Sequence, residues 1–354
     1  MDKDPFKEYK KQIDPSKYEK RYAWKTAIGL QAVDGLKPSE YLIDTAIKNI
    51  QGDISIDEAQ EILNRYYEEN PKFHNEDRTE EADKVAVRIA KILSENAFSF
   101  TPNEYIFIHK KLFLGIYNHA GKIRDYNITK KEWVLNGATV LYGSASELRA
   151  TLDYDLSEEK NYNYKNLSMD EIIHHLALFV SRLWQIHVFG EGNTRTTAVF
   201  FIKYLRTLGF DATNDIFAEN SWYFRNALVR ANYNDLKNGI HKTTDYLELF
   251  LQNLLLNKKN ALHNRSMHIS EQSVQSATLA VSKSQSGTLK LTPEELLIIK
   301  LLLSDPTATQ KKISESTGIP ERTVKRRTVE MQEKNIICRE KGKRNGRWRV
   351  LIEI

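Results

Sequence analysis

The sequence predicts a mainly α-helical protein, with a small helical segment before a larger helical bundle and a separate basic domain after it. Apolar residues recur at helical spacing through most of the chain. Strand signals are confined to one Asn-Gly turn flanked by β-forming residues and to the C-terminal end. We therefore divide the chain into residues 1–80, 81–257, 258–289 and 290–354.

Charge is distributed unevenly along the 354 residues, a length that suits two or three domains. The chain holds 52 Lys and Arg against 47 Asp and Glu, and 15 and 9 of these lie in residues 290–354. The last domain therefore carries a net charge of +6, and the rest carries −1. This asymmetry predicts a C-terminal module with a polyanionic partner.

Composition also indicates the compartment. The sequence has no run of about 18 apolar residues, so it predicts no membrane span. The first residues also lack the apolar stretch of a signal peptide. The single cysteine, Cys338, excludes an internal disulfide and a cysteine-based zinc site. Neither an HxxxH nor an HExxH pair occurs in the sequence. We expect a cytoplasmic protein without zinc and without a membrane partner.

The first segment begins with a charged stretch, residues 1 to about 20, that we expect to be a mobile or surface arm. Helices follow to about Tyr67, and Ser55 with Glu58 forms the pattern of a capping box. The polar stretch 68–80 reads as a linker.

A short polar loop, His187 to Thr197, separates two apolar helical patterns in the central domain. Ser168 and Glu171 form a second capping box, which starts the helix predicted over Met169 to Ile186. The second helix is predicted from Ala198 to Leu208. A connector between two core helices does not need a histidine, a carboxylate, an asparagine and an arginine. Their presence predicts an anion site.

Each polar residue of the loop suits that chemistry. Gly192 lets backbone approach a ligand, and the N–H groups at the start of the second helix attract anions. Arg195 offers a forked cation for phosphate, and Glu191 suits Mg²⁺, which favours carboxylates together with phosphate oxygens. His187 is a candidate general base.

The loop resembles the motif HxFx[DE]GNGRxxR of the Fic (Fic/Doc) family. The matching residues are His187, Phe189, Glu191, Gly192, Asn193 and Arg195. The resemblance implies a helical bundle that transfers AMP from ATP, with Mg²⁺, to a Ser, Thr or Tyr hydroxyl of a target protein. It assigns catalysis to His187, the metal to Glu191, and nucleotide binding to Gly190, Gly192, Asn193, Thr194 and Arg195.

Two positions depart from the motif. Thr194 replaces the second glycine, a change that leaves the backbone N–H in place. Ala198 replaces the last arginine, which in the family contacts the γ-phosphate or pairs with an inhibitory glutamate. This loss leaves open a transferase that uses another nucleotide donor.

A second family segment lies upstream. Gly121 to Asn127 resembles the GxxRxxN pattern that opens the family's β-hairpin flap. Alternation of β-forming residues about Asn136-Gly137 predicts a hairpin over about Lys131 to Tyr142. The resemblance implies that this flap binds the target by strand addition. The residues assigned to that contact are Trp133, Val134 and Leu135.

The N-terminal helices resemble a VbhA-type antitoxin, in which a glutamate obstructs the γ-phosphate. Here Asp34 would take the glutamate's place and Leu30 that of a Ser or Thr. The family partner of that glutamate is the arginine missing at Ala198, so both ends of the inhibitory ion pair have changed. The sequence leaves open inhibition through another contact and a purely structural segment.

Residues 258–289 read as a linker, and the last domain resembles a winged helix. Helices are predicted from Thr292, over Gln310 to Ser316 and over 321–335, followed by a hairpin wing. The residues expected to face DNA are Arg322, Lys325, Arg326 and Arg327 on the third helix, with Lys343 and Arg344 on the wing. The alternative is a winged helix used for protein contact or for a homodimer.

Three functions follow from these patterns. The first is a protein adenylyltransferase with His187 as its base. The second is a DNA-binding transcriptional regulator whose Fic core senses a nucleotide. The third is a Fic transferase that moves another phosphate-containing group.

Overall fold

The computed structural model describes residues 15–70, 78–212, 214–270, 293–333, 336–340 and 347–350. The chain divides into two compact units, Met1–Ile269 and Ser270–Ile354. Both are mainly helical, as predicted, and each has its own apolar core. In the part of the chain that is described, no helix combines the length and apolar character needed to cross a membrane.

The first unit is a bundle of helices joined by short turns. The helices are α1 (Pro15–Gly29), α2 (Glu40–Gln51), α3 (Ile56–Glu69), α4 (Thr79–Ser94), α5 (Pro102–Phe113), α6 (Leu148–Asn161), α7 (Met169–Ile186), α8 (Asn193–Thr207), α9 (Ile216–Ala231) and α10 (Asp245–Leu256). Single 3₁₀ turns lie at Leu30–Asp34, Trp133–Leu135, Leu236–Asn238 and Asn264–Met267.

Both predicted capping boxes are present. Ser55 starts α3 and Ser168 starts α7, and each hydroxyl accepts from the backbone N–H three residues later while the glutamate there accepts from the serine N–H. These contacts are local, so the sequence pattern is sufficient to form them.

The N-terminal helices belong to the same core as the central bundle. Helix α1 packs on α4 and α9, and Arg21 forms an ion pair with Asp215 at 2.8 Å. Trp24 is buried and its indole N–H donates to Asn49 at 2.9 Å. Residues 15–20 of the expected arm belong to α1, and residues 16–20 are exposed or partly exposed; residues 1–14 lie outside the described part.

Helix α8 is buried along most of its length and begins at Asn193, five residues before the predicted start. Asn193, Thr194 and Arg195 therefore form its first turn. Helix α7 has the predicted bounds and ends at His187, whose φ of 52° reverses the chain. The motif thus joins two core helices through the short segment from His187 to Gly192.

The predicted β-hairpin flap is not a strand pair. Trp133–Leu135 form a 3₁₀ turn, after which the chain folds back at Asn136 and Gly137, as the Asn-Gly signal predicts. Val134 and Leu135 are both buried. Adjacent strand residues point to opposite faces, so a strand would expose one of these apolar side chains, whereas the 3₁₀ turn buries both.

The described part of the second unit from Pro293 onward contains three helices and a β-hairpin. Its elements are α11 (Pro293–Ser304), α12 (Gln310–Thr317), α13 (Glu321–Glu333), β1 (Ile337–Glu340) and β2 (Arg347–Val350). The strands pair antiparallel, with Ile337 opposite Val350. Val324, Thr328 and Met331 face the core, as predicted. Thr292 and the wing tip, residues 341–346, lie outside the described residues.

Candidate active site

The two glycines of the loop make room for protein side chains. A Cβ on Gly192, whose φ is 75°, would lie 2.4 Å from the Phe113 ring, and one on Gly190 would lie 2.6 Å from the Tyr126 hydroxyl. Gly192 was predicted to let backbone approach a ligand. In the structure the space beside it is filled by Phe113, so packing requires the glycine.

His187 is almost completely buried, with 3% of its surface exposed. Neither ring nitrogen has a hydrogen-bond partner in the described part of the chain. The Tyr142 ring lies 4.3 Å away between centroids, and the Trp184 ring 5.3 Å. Burial, reinforced by the charge of Lys130, holds the pKa of His187 well below 6.5. The imidazole is therefore neutral near pH 7, with a ring nitrogen available to accept a proton.

Arg124, the arginine of the GxxRxxN segment, holds the backbone around His187. Its Nε donates to the His187 carbonyl at 2.8 Å, and its Nη2 donates to the Gly143 carbonyl at 2.6 Å. Its own N–H donates to the Val188 carbonyl at 3.0 Å. The GxxRxxN pattern by itself gave this arginine no role. Its contacts join the base of the flap segment to the end of α7.

The Asn193 side chain braces the loop. Its Oδ1 accepts from the Phe189 N–H at 3.0 Å and its Nδ2 donates to the Phe189 carbonyl at 2.7 Å. Each polar atom of the amide thus forms a hydrogen bond to the loop backbone, and the nucleotide contact of Asn193 stays a prediction. The N-cap residue of α8 is Gly192, which has no side chain to accept from the first-turn N–H groups, and this leaves the turn suited to a phosphate.

Thr194, the departure from the motif, has a specific contact. Its hydroxyl accepts from the Trp184 indole N–H at 3.0 Å, and both groups are buried. The Trp184 ring in turn packs edge-on against His187. The threonine therefore links the start of α8 to the end of α7 beside the catalytic candidate, a link that glycine would not supply.

Arg195 is fully buried and surrounded by acceptors from distant parts of the chain. Its Nη2 donates to Glu81 at 2.7 Å and its Nη1 to Gln31 at 3.0 Å. Its Nε lies 2.8 Å from Asp34 Oδ2, an ion pair by distance although the N–H is not aligned with the oxygen. Burial alone would lower the pKa of Arg195, but Asp34, Tyr117 and Glu81 outweigh it and raise the pKa.

The Asp34 contact changes the prediction about the inhibitory segment. An ion pair lost at both ends was expected, because Ala198 replaces the family's last arginine. The structure instead pairs Asp34 with Arg195, the preceding arginine position of the motif. Ala198 is completely buried. The N-terminal segment thus reaches the motif through a partner that the motif comparison does not indicate.

Glu191 is the most accessible polar group of the loop, with 51% of its side chain exposed. Its Oε2 accepts from Lys130 Nζ at 3.2 Å. No group of three or more His, Cys, Asp or Glu side chains that could hold a metal occurs among the described residues. Mg²⁺ takes one or two carboxylates and its remaining ligands from phosphates and water, so the Glu191 carboxylate would suit it where a phosphate binds beside it.

His109, which sequence analysis did not select, supports the backbone of Glu191. The Gly121 N–H donates to His109 Nδ1 at 2.8 Å, so Nε2 carries the proton and donates to the Glu191 carbonyl at 3.0 Å. The ring stacks on Phe189 at 3.7 Å. Burial lowers the pKa of His109 to about 3. A histidine on the apolar face of a helix gives no sequence signal that separates this role from packing.

The flap segment is fixed by a buried carboxylate. Glu132 accepts from the Tyr142 hydroxyl at 3.0 Å and pairs with Arg225 of α9 at 2.7 Å. Of the three residues predicted to bind a target, Val134 and Leu135 are buried and unavailable, whereas 47% of Trp133 is exposed. The Trp133 ring also packs edge-on against His268 at 4.9 Å.

The residues predicted to face DNA have different environments in the structure. Arg322, Lys325 and Arg326 are exposed on α13, although Lys325 pairs with Glu321 within the helix. Arg327 is only partly exposed and forms ion pairs with Glu294 and Glu330 at 3.0 and 2.9 Å. It therefore holds α13 against α11. Lys343 and Arg344 lie outside the described residues.

Comparison with family models agrees with the central motif and with the C-terminal winged-helix pattern. Residues 99–205 match the family model "Fic/DOC family", and residues 295–337 match "Winged helix-turn-helix DNA-binding". A crystal structure of a Fic family protein from Desulfovibrio desulfuricans G20 aligns at 12% identity with a TM-score of 0.46, over 98% of this chain and 90% of that one. The comparison with curated proteins found no match.

The central part of this chain is therefore a Fic/DOC domain, which supports a transferase in general terms. More particularly, the chain combines this Fic/DOC domain at residues 99–205 with a winged helix-turn-helix domain at residues 295–337.

Proposed function

We propose that the protein is an adenylyltransferase that moves AMP from ATP to a Ser, Thr or Tyr hydroxyl of a target protein. One observation carries the proposal. A neutral, buried histidine with no partner on either ring nitrogen in the described chain stands beside the uncapped first turn of α8. This arrangement combines a base with an anion site, as phosphoryl-group transfer requires.

In this reaction His187 takes the proton of the target hydroxyl. The hydroxyl oxygen forms a bond to the α-phosphorus of ATP, the bond from that phosphorus to the β-bridging oxygen breaks, and pyrophosphate leaves. Backbone N–H groups at the start of α8 bind phosphate oxygens, and Glu191 would hold Mg²⁺. The metal, when bound, offsets phosphate charge.

We further infer that the N-terminal segment restrains the site. Arg195 is the residue expected to offer a cation to phosphate, yet its guanidinium is held by Asp34, Gln31 and Glu81 with no exposed surface. A nucleotide gains this cation only when those contacts are released. The alternative, a structural role alone, is supported by the buried side chains of Leu30 and Val33.

The test is a donor screen on the full chain. ATP, GTP, UTP, CTP and CDP-choline are supplied with Mg²⁺, and the modified protein is identified by intact mass. ATP is expected to give an AMP adduct. Ala198 stands where the family motif has an arginine, so the other donors remain a real alternative. An adduct formed from one of them alone would replace ATP in the proposal.

Replacing His187 tests the mechanism. General-base catalysis typically contributes about 10²–10⁴-fold, so His187→Ala is expected to remove detectable transfer. His174→Ala is the matched control, because His174 lies on the same helix with an exposed side chain and should leave transfer unchanged. Transfer that persists in His187→Ala would rule out this mechanism.

The second candidate is a nucleotide-sensing DNA-binding regulator. The winged-helix match and the exposed Arg322, Lys325 and Arg326 favour it. DNA binding should weaken with salt and with loss of these cations, because each phosphate contact releases counterions. Lys300→Ala on α11 is the control. Nucleotide-dependent DNA binding without transfer from any donor would favour the regulator over the transferase.

A further inference from the structure

The candidate phosphate site has few available cations. Three positive side chains act on His187 through their charge: Lys130, Arg124 and Arg225. Arg124 donates to backbone carbonyls, and Arg225 pairs with the buried Glu132. Arg195 is enclosed by its acceptors. Only Lys130 among these four is paired with a half-exposed carboxylate.

Lys130 is placed where a donor phosphate would need charge. Its Nζ is 3.2 Å from Glu191 Oε2, on the residue that would hold Mg²⁺. Its backbone is fixed, because the Lys130 N–H donates to Thr139 Oγ1 at 3.2 Å and nearby Asn127 accepts from the Ala145 N–H at 2.9 Å. The amine ends a flexible four-carbon chain on a held backbone, so it can change partner while its backbone stays in place.

We propose that Lys130 binds the phosphates of the donor nucleotide, exchanging its ion pair with Glu191 for the ligand. The inference rests on the proposed function and deepens it. It also accounts for the missing arginine, since Ala198 is buried and uncharged. Lys130 supplies from the flap side a positive charge that the family motif supplies from α8.

The test compares ligands with and without phosphate. Mg²⁺–ATP and adenosine are titrated against the protein with Lys130→Ala, Lys130→Arg and Lys131→Ala, the last being an exposed neighbour. A hydrogen bond to a charged group predicts that Lys130→Ala weakens ATP binding at least about tenfold. Adenosine binding should not change, Lys130→Arg should recover most of the loss, and Lys131→Ala should bind as the wild type.

Each series is repeated in an Asp34→Asn background, so that restraint of Arg195 does not mask binding. Unchanged ATP affinity in Lys130→Ala, an equal loss for adenosine, or no ATP binding in either background would each overturn the inference. Transfer that depends on His187 but not on Lys130 would overturn it while leaving the proposed function intact. If Lys130→Ala weakens ATP binding but not adenosine binding, and the protein transfers no group from any donor, the inference stands and the proposed function is overturned.

Discussion

At the scale of single residues, the motif side chains divide into those that brace the site and those that remain available. The Asn193 side chain forms its hydrogen bonds with the Phe189 backbone, and the Thr194 hydroxyl accepts one from Trp184. His187 keeps both ring nitrogens without a partner in the described chain. The loop is therefore held by its neighbours in the motif, while the candidate base is left free to react.

Thr194 offers a test of that bracing. Thr194→Val removes the acceptor and leaves the buried Trp184 N–H unsatisfied, which should lower the free energy of unfolding by about 1–3 kcal/mol. Thr194→Ser keeps the hydroxyl and should lose less. Urea unfolding measures both. Equal stability of the valine and serine variants would show that the hydrogen bond contributes nothing.

The environment of His187 sets an expected pH dependence. Its pKa lies well below 6.5, so as pH falls through 6.5 the imidazole keeps its neutral, base-competent form. The rate constant kcat/KM, which reports the free enzyme, should therefore show no protonation step of His187 near 6.5. A fall in kcat/KM with a midpoint at or above pH 6.5 would contradict the burial argument if kcat, measured at saturating donor and target, shows no such fall.

At the scale of elements, the decisive contacts join segments that are far apart in the chain. The 3₁₀ turn Leu30–Asp34 follows α1, yet Asp34 lies against the first turn of α8. The flap turn is tied to α9 through Glu132 and Arg225. The turn Asn264–Met267 packs beside the flap, with His268 against Trp133. The site is thus enclosed by elements from both ends of the first unit.

Asp34 tests the role of the N-terminal turn. Asp34→Asn removes one carboxylate from Arg195, and a contact to a charged group worth about 1.5–3 kcal/mol predicts that transfer rises on the order of tenfold. Asp44→Asn on α2, an exposed position, is the control. If Asp34→Asn lowers stability without raising transfer, the segment is structural only.

At the scale of the whole molecule, the two units have separate apolar cores. The first core includes Trp24 and Leu30 of the N-terminal segment together with residues of α7 and α8. Removing residues 1–80 would therefore expose part of that core, so point variants such as Asp34→Asn test the restraint more directly than truncation.

Separate cores predict separate unfolding transitions. A chain ending at Ile269 should fold and should unfold in urea at the midpoint of the corresponding transition of the full protein. The Trp348 fluorescence change belongs to the second unit, where this side chain is buried, and should report the other transition. One shared transition for all probes would mean that the two units stabilise each other.

The sequence by itself determined the features that depend on neighbouring residues: the helical composition, the two capping boxes, the turn at Asn136-Gly137, the motif from His187 to Arg195 and the helices of the C-terminal domain. Capping, turn chemistry and helical periodicity act over a few residues, so a linear pattern specifies them.

Only the tertiary structure decided what those residues contact. The pairing of Arg195 with Asp34 spans most of the first unit, and neither residue's pattern identifies its partner. Burial of both Val134 and Leu135 replaced the predicted strand with a 3₁₀ turn. His109 and Lys130 gained roles through Glu191, which packing brings beside them. Such contacts depend on how helices meet in three dimensions, and local sequence does not specify that arrangement.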